Sequence, residues 1–180
     1  VTETINVAIA AVNDAPTIST SNSLTTAEDT ATAAIAFSGS DIDGDTLSFS
    51  FTQPAKGVVD DFGDGTFFYI PNADANGSDS FTITVNDGTV DVTETINVAI
   101  AAVNDAPTIA TSTSITTDED TATAAIAFSG SDVDGDTLTF SFSDPAKGSV
   151  VDNGDGTFFY IPNADANGSD SFTITVNDGT

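Results

Sequence analysis

Asp41, Asp43 and Asp45 alternate with Ile42 and Gly44, and the same spacing returns at Asp132, Asp134 and Asp136. Carboxylates two residues apart on a loop that bends at glycine can turn their oxygens toward one point. A hard cation such as calcium, with six to eight oxygen ligands, asks for that arrangement. The loop is no EF-hand, since glycine stands at its fourth position and Thr52, not Glu, at its twelfth. It also reads as an Asp-Gly turn closing two strands. The rest of the composition narrows the chemistry further. Of 180 residues, 28 are Asp or Glu, two are Lys or Arg, and none is His, Cys, Met or Trp, so the formal net charge is −26. Without His or Cys there is no zinc, iron–sulfur or haem site, no thiol nucleophile and no Ser-His-Asp triad. The remaining metal ligands are oxygens, which suit calcium (Ca2+). Nucleic acid and anionic membrane surfaces, which need clustered Lys and Arg, are excluded as partners. No pattern sets one carboxyl in an apolar pocket and a second in a polar site, as glycoside hydrolysis would need, and the chain is not expected to be an enzyme.

These acids need elements to hold them. Hydrophobic content of 39 % with 13 Phe is too high for an acidic disordered tail. Nothing resembles a 20-residue apolar span or a cleavable leader, so no membrane insertion is expected of this segment. Laid on itself at an offset of 91, the sequence aligns residues 1–89 with 92–180 with eleven mismatches. The largest differences fall at 58–62 against 149–153. A period near 90 is too long for a solenoid unit and fits one small sandwich domain, so an array of tandem modules is expected. Three spans follow: residues 1–12 as the final strand of a preceding module, 13–103 as a complete module, and 104–180 as a second module lacking its final strand.

Within one period, short runs rich in Thr, Val, Ile and Phe are separated by Gly, Pro, Asn and Asp, the signature of strands. Leu47, Phe49 and Phe51 alternate with polar residues, as do Phe81, Ile83 and Val85, and Ile96, Val98 and Ile100. With Thr17–Thr26, Thr30–Ser38, Gly57–Asp60 and Thr66–Ile70 these give seven strands, A to G, in an all-β sandwich. The Ala-rich run inside Thr30–Ser38 is assigned to a strand rather than a helix. Successive strands run against each other, so loops alternate between two poles. Loops BC (Asp41, Asp43, Asp45), DE (Asp60, Asp61, Asp64) and FG (Asn86, Asp87) share the entry pole with Asn13 and Asp14. Loops AB (Glu28, Asp29) and EF (Asp74, Asn76, Asp79) share the exit pole. Stacked modules would gather Glu28, Asp74, Asn76, Asp79, Asn104, Asp105, Asp132, Asp134, Asp136 and Asp178 in one crevice. Two carboxylates about 4 Å apart repel by about 1 kcal/mol in water and about 4 kcal/mol at an effective dielectric of 20. Calcium is the economical answer to that repulsion.

The motifs Glu28-Asp29-Thr30, Asp41-Ile42-Asp43-Gly44-Asp45, Asn86-Asp87-Gly88 and Val98 to Pro107 together resemble a cadherin-like repeat. With Tyr69-Ile70-Pro71-Asn72-Ala73-Asp74-Ala75-Asn76-Gly77, the chain is similar to the tandem cadherin-like and VCBS-type repeats, bacterial Ig-like extenders of large RTX-type surface adhesins. The resemblance implies Ig-like Greek-key sandwiches, ions at module junctions, export by type I secretion and an extracellular place on the bacterial cell surface. It implies the base glutamate at Glu28, paired ligands at Asp132 and Asp134, an FG ligand at Asp178, linker ligands at Asn104 and Asp105, and an acidic pair near Asp74 and Asn76. Cadherin linkers carry Asp where Ala102 stands and a further Asn after Asp105. These departures imply fewer ions per junction than the full cadherin set.

Several residues carry a plainer reading as well. Asp64-Gly65 and Asp155-Gly156 fit type I′ hairpin turns. Asn104-Asp105-Ala106-Pro107 reads as linker and as ligand set. Lys56 and Lys147 are expected to pair with a neighbouring acid. Asn76-Gly77-Ser78 fits a glycosylation sequon, though its Gly also serves a turn. Phe68, between Phe67 and Tyr69, cannot face inward with both and hints at an exposed platform. The expected function is therefore a calcium-stiffened spacer of a bacterial adhesin, supporting cell adhesion and biofilm formation, whose partners are neighbouring modules. The alternative is calcium-dependent binding of polysaccharide or of a like module on another cell. Head-to-tail strand exchange between chains, through residues 1–12, is a further expectation.

Overall fold

Runs of alternating apolar and polar residues become strands throughout the computed structural model, which describes residues 1–180 and contains fourteen strands and no helix. The chain forms two units, Val1–Val103 and Asn104–Thr180.

In the first unit, β1 (Thr17–Thr20), β3 (Ile35–Ser40), β6 (Thr66–Pro71) and β5 (Gly57–Asp61) form one sheet in the order β1-β3-β6-β5. The second sheet has the order β2-β8-β7-β4, from β2 (Ser23–Ala27), β8 (Asp91–Ala101), β7 (Gly77–Asn86) and β4 (Ser48–Phe51). Every pairing is antiparallel except β2 with β8. Phe81, Ile83 and Val85 on β7 and Ile96, Val98 and Ile100 on β8 are buried, while Asn97 and Ala99 between them are exposed. All of these buried residues except Val85 join Phe37, Val59, Phe67 and Tyr69 from the other sheet in one sandwich core. Phe37 is the hub, edge-on to Phe49 at 4.9 Å and to Phe51 at 5.3 Å between ring centroids. Such pairs contribute about 0.5–1.5 kcal/mol each beyond the area they bury.

The structure corrects the sequence reading at several points. Strand A is not one strand: the chain breaks at Ser21 and Asn22 and crosses between sheets, β1 pairing with β3 and β2 with β8. The crossing is pinned by the Asn97 N–H, which donates to the Asn22 carbonyl at 2.9 Å. The unit therefore has eight strand segments. Strand B begins at Ile35 rather than Thr30, because residues 31–34 run along the outer end of β6 instead of pairing in a ladder. Thr32 there donates its N–H to the Tyr69 carbonyl at 2.9 Å, and its hydroxyl accepts the Tyr69 N–H at 3.0 Å. The loop at Asp64-Gly65 is not a two-residue type I′ turn. Four residues separate β5 from β6, and Gly63 and Gly65, not Asp64, hold positive φ. Phe68 faces outward and packs edge-on against Phe62, with ring centroids 4.9 Å apart.

The second unit repeats one sheet, in the order β12-β13-β10-β9, from β12 (Gly148–Asp152), β13 (Thr157–Pro162), β10 (Ile126–Ser131) and β9 (Thr108–Thr111). Opposite it stand only β11 (Thr139–Phe142) and β14 (Ile174–Asn177). The Phe128, Phe140, Phe142 and Phe158 cluster repeats that of the first unit. No strand occupies the place of β8, and the counterpart of β2 is not a strand. Residues 1–12 are exposed and form no strand.

Candidate metal centre

The entry pole of the first unit is assembled by side chains that hold one another. The Asn13 amide donates to Asp87 Oδ2 at 2.9 Å, and the Asp14 N–H donates to Asp43 Oδ2 at 2.7 Å. These two contacts bring the entering chain against the FG and BC loops. Asp41 Oδ1 accepts the N–H of Asp43 at 2.8 Å and of Asp45 at 3.3 Å, which curls the BC loop around that carboxylate. Oxygens of Asp41, Asp43 and Asp45 then lie within 4.8 Å of one another. Asp87 is only 7 % exposed, and its Oδ1 accepts the N–H groups of Thr89 and Val90 at 2.7 Å each. The Asn13 amide, followed by the Val90 N–H, holds the Asp87 carboxyl below the ordinary carboxylate range.

The second unit builds the same pole 91 residues later. Asn104 donates to Asp178 Oδ2 at 2.9 Å, the Asp105 N–H donates to Asp134 Oδ2 at 2.8 Å, and Asp132 Oδ1 accepts the Asp136 N–H at 3.2 Å. Asp132, Asp134 and Asp136 again hold oxygens within 4.8 Å. Asp178 is held low chiefly by the Asn104 amide and next by the Thr180 N–H.

The exit pole of the first unit centres on Glu28, which is 2 % exposed. Its carboxylate accepts the Val103 N–H on one oxygen and the Asn76 amide at 3.3 Å on the other, while its own N–H donates to the Ala101 carbonyl at 2.9 Å. Asp29 and Asp74 both hold left-handed backbone, at φ 57° each, and the Asp74 N–H donates to Asp29 Oδ1 at 3.2 Å. The AB corner, the EF corner and the end of β8 are thereby tied together.

Asp79, grouped with these acids by loop order, belongs elsewhere. Its carboxylate accepts the Tyr69 hydroxyl at 2.8 Å and the N–H groups of Lys56 and Ala55 at 2.9 and 3.2 Å. Burial pulls the Asp79 carboxyl upward, but the Tyr69 hydroxyl and the N–H groups of Lys56, Ser80 and Ala55 outweigh it, and the net shift is downward. Burial, then the same hydrogen bond, pushes the Tyr69 phenol well up. A close approach makes this pair: a Cβ at Gly57 would stand 2.6 Å from the Tyr69 ring. Tyr160 and Asp170 repeat the bond at 2.7 Å. A sequence signal existed, since the only two Tyr residues each stand ten positions before an Asp. The lysines do not pair with acids through their ammonium groups. Lys56 Nζ donates to the Asn76 carbonyl at 2.7 Å and Lys147 Nζ to the Asn167 carbonyl at 2.8 Å. Gly77 in the sequon-like triplet holds φ 88° and makes the turn into β7.

Calcium fits this donor set on one structural test. Asp41 Oδ2 and Asp132 Oδ2 are buried without a hydrogen-bond partner. A buried carboxylate oxygen left in that state is costly unless a cation meets it. The surrounding donors are all oxygens, as a hard cation prefers.

Residues 13–102 match the family described as bacterial cadherin-like domain, and residues 104–180 match bacterial Ig domain. No curated protein sequence matches the chain. Among solved structures, human protocadherin-24 EC1-2 (form II) is similar at 14 % identity with a TM-score of 0.53, over 92 % of this chain and 94 % of that one. That likeness shows the fold. An endo-fucoidan hydrolase of glycoside hydrolase family 107 is similar at 21 % identity with a TM-score of 0.43, over 92 % of this chain but 27 % of that one.

Proposed function

Because this chain belongs to the bacterial cadherin-like domain family, we propose that its two units are extender modules of a bacterial cell-surface adhesin, stiffened by calcium at their acidic poles and serving cell adhesion and biofilm formation. Domains of the bacterial cadherin-like and Ig families are typically extracellular structural or adhesion modules rather than enzymes. The observation that carries the reading is the entry pole, built twice from the same residues with one carboxylate oxygen buried and unpartnered each time, at Asp41 and Asp132.

Calcium would supply a divalent charge that carboxylate, Asn and backbone oxygens can share. The chain's own residues prepare the place. Asn13 and Asn104 orient the FG aspartates, and the N–H groups of Asp14 and Asp105 orient Asp43 and Asp134. Glu28 anchors Val103, and Asn104 and Asp105 follow directly in the chain. The proposed ligands are Glu28, Asp74 and Asn76 at the exit pole of the first unit, Asn13, Asp14, Asp41, Asp43, Asp45 and Asp87 at its entry pole, and Asn104, Asp105, Asp132, Asp134, Asp136 and Asp178 at the entry pole of the second unit. Without a cation, like charges at these poles repel.

Calorimetric titration of the whole chain tests this. Calcium should bind with a dissociation constant of about 10⁻⁴ to 10⁻³ M, the range of extracellular modules, and Asp132→Asn with Asp134→Asn should weaken it at least tenfold. No binding, or binding indifferent to both substitutions, contradicts the proposal.

A polysaccharide-binding or homotypic role is favoured by one observation. Val58, Phe62 and Ile70 are exposed beside Phe68, and the second unit carries Ser149 and Asn153 in place of Val58 and Phe62. Phe62→Ala would abolish retention on a polysaccharide column if this face binds glycans and leave it unchanged if it does not.

A further inference from the structure

Eleven positions differ between the two repeats, and four of them gather at one sheet edge: Gln53 against Asp144, Val58 against Ser149, Asp60 against Val151 and Phe62 against Asn153. In the first unit that edge is β5, the last strand of its sheet. The Asn72 N–H donates to the Lys56 carbonyl at 2.8 Å, and the Phe62 N–H donates to the Thr66 carbonyl at 3.2 Å. Bonding alternates along an antiparallel ladder. Residues 56, 58, 60 and 62 therefore face β6, and Gly57, Val59 and Asp61 turn their backbone groups to the free edge. Gln53 closes that edge at its middle. Its amide nitrogen donates to the Val59 carbonyl at 3.3 Å, and its oxygen accepts the Val59 N–H at 3.1 Å. One side chain thus makes both bonds that a neighbouring strand would make there. Asp60, exposed on the outer face, adds a charge of the kind that discourages strand pairing.

The second unit has the same edge without either guard. β12 holds the place of β5, with the Asn163 N–H on the Lys147 carbonyl at 2.8 Å and the Asn153 N–H on the Thr157 carbonyl at 3.0 Å, so Val150 again turns its backbone outward. Asp144 stands where Gln53 stands, one methylene shorter and with no N–H to offer the Val150 carbonyl. Val151 replaces Asp60 and is 43 % exposed, with Ile161 of β13 exposed at 40 % on the same outer face. Free backbone groups beside exposed apolar side chains are what an added strand pairs with. We propose that the β12 edge of the second unit binds an extended peptide segment of another protein, with a Lys or Arg beside Asp144 and apolar residues alternating toward Val151 and Ile161. Backbone bonds to Gly148, Val150 and Asp152 supply the affinity, and the Asp144 carboxylate selects the cation. A second copy of this chain fits the edge less well. It brings a further Asp144 to the joint, on a molecule whose net charge is already −26.

The probe is the end-capped peptide Thr-Val-Arg-Val-Thr, added to the 180-residue chain in chelator so that the outcome is independent of the calcium proposal. Before it is added, the Val150 amide should exchange at least tenfold faster than the Val59 amide that Gln53 holds. Calorimetry and hydrogen exchange should then show binding that protects Gly148, Val150 and Asp152. Asp144→Gln, which copies the seal of the first unit, should weaken binding at least tenfold and slow the Val150 amide. Gln53→Asp together with Asp60→Val should open a second site, at β5. The same peptide with Glu in place of Arg should bind at least tenfold more weakly. No binding, protection only at other amides, or binding indifferent to Asp144→Gln or to the exchange of Arg for Glu overturns the proposal. Val150 amides already protected by concentration-dependent self-association of the chain overturn it as well, in favour of a second copy.

Discussion

The carboxylate of Glu28 accepts the backbone N–H of Val103, binding the AB corner to the last residue before the second unit begins. The bond needs no metal. It fixes the end of β8, and with the Asn76 amide on the other oxygen it satisfies a carboxylate that is 2 % exposed.

Glu28→Ala should therefore destabilise the first unit by about 1–3 kcal/mol in chelator, the cost of leaving buried donors unpaired. Urea unfolding read from the first unit measures it. An unchanged midpoint would mean that Val103 and Asn76 find other partners without loss.

Removing the Tyr69 hydroxyl probes the pair that holds Asp79. Tyr69→Phe takes away a hydrogen bond to a charged group, for which about 1.5–3 kcal/mol is expected. The Asp79 carboxyl sits below its ordinary range when folded, so its share of stability is complete above the unfolded value, about 3.9, and is lost as pH falls through the folded value. The deficit of Tyr69→Phe relative to the parent chain should be full at pH 6 and shrink at the acid end. Taking the difference between two chains cancels the general relief of repulsion on acidification. A deficit independent of pH would show that the hydroxyl acts through packing alone.

Asp43 and Asp134 hold the same local bonds, to the N–H groups of Asp14 and Asp105. Under the proposal each is a ligand at the entry pole of its own unit. Asp43→Ala and Asp134→Ala should therefore each lower calcium affinity by a factor of about ten, near 1.4 kcal/mol. A calorimetric titration that neither substitution changes would take both aspartates out of the ligand set.

What the sequence made legible followed from periodicity and loop order. Strict alternation marked Phe81, Ile83, Val85, Ile96, Val98 and Ile100 as one buried face, and these six are core. The break at Ser21 and Asn22 was hidden because the Thr-rich run on either side has uniform strand propensity, while the sheet that takes each half is decided by β3 and β8 far along the chain. Residues 31–34 escaped for a related reason, since Thr32 is held by Tyr69 and not by a neighbouring ladder. Asp79 was grouped with the exit pole by its place after the EF loop. A side-chain bond to Tyr69, possible only because Gly57 leaves room for the ring, draws it away.

Small-angle scattering of the chain, with and without calcium and alongside thermal melting, tests the stiffening claim most directly, because extension and stability are read together. Calcium at about 100 times its dissociation constant should add about 2.7 kcal/mol to the occupied state. That raises the melting temperature by an amount on the order of 10 °C for units of this size. The account predicts this rise together with a larger radius of gyration and a longer maximum dimension. A melting temperature and a radius of gyration that chelation leaves unchanged would contradict it.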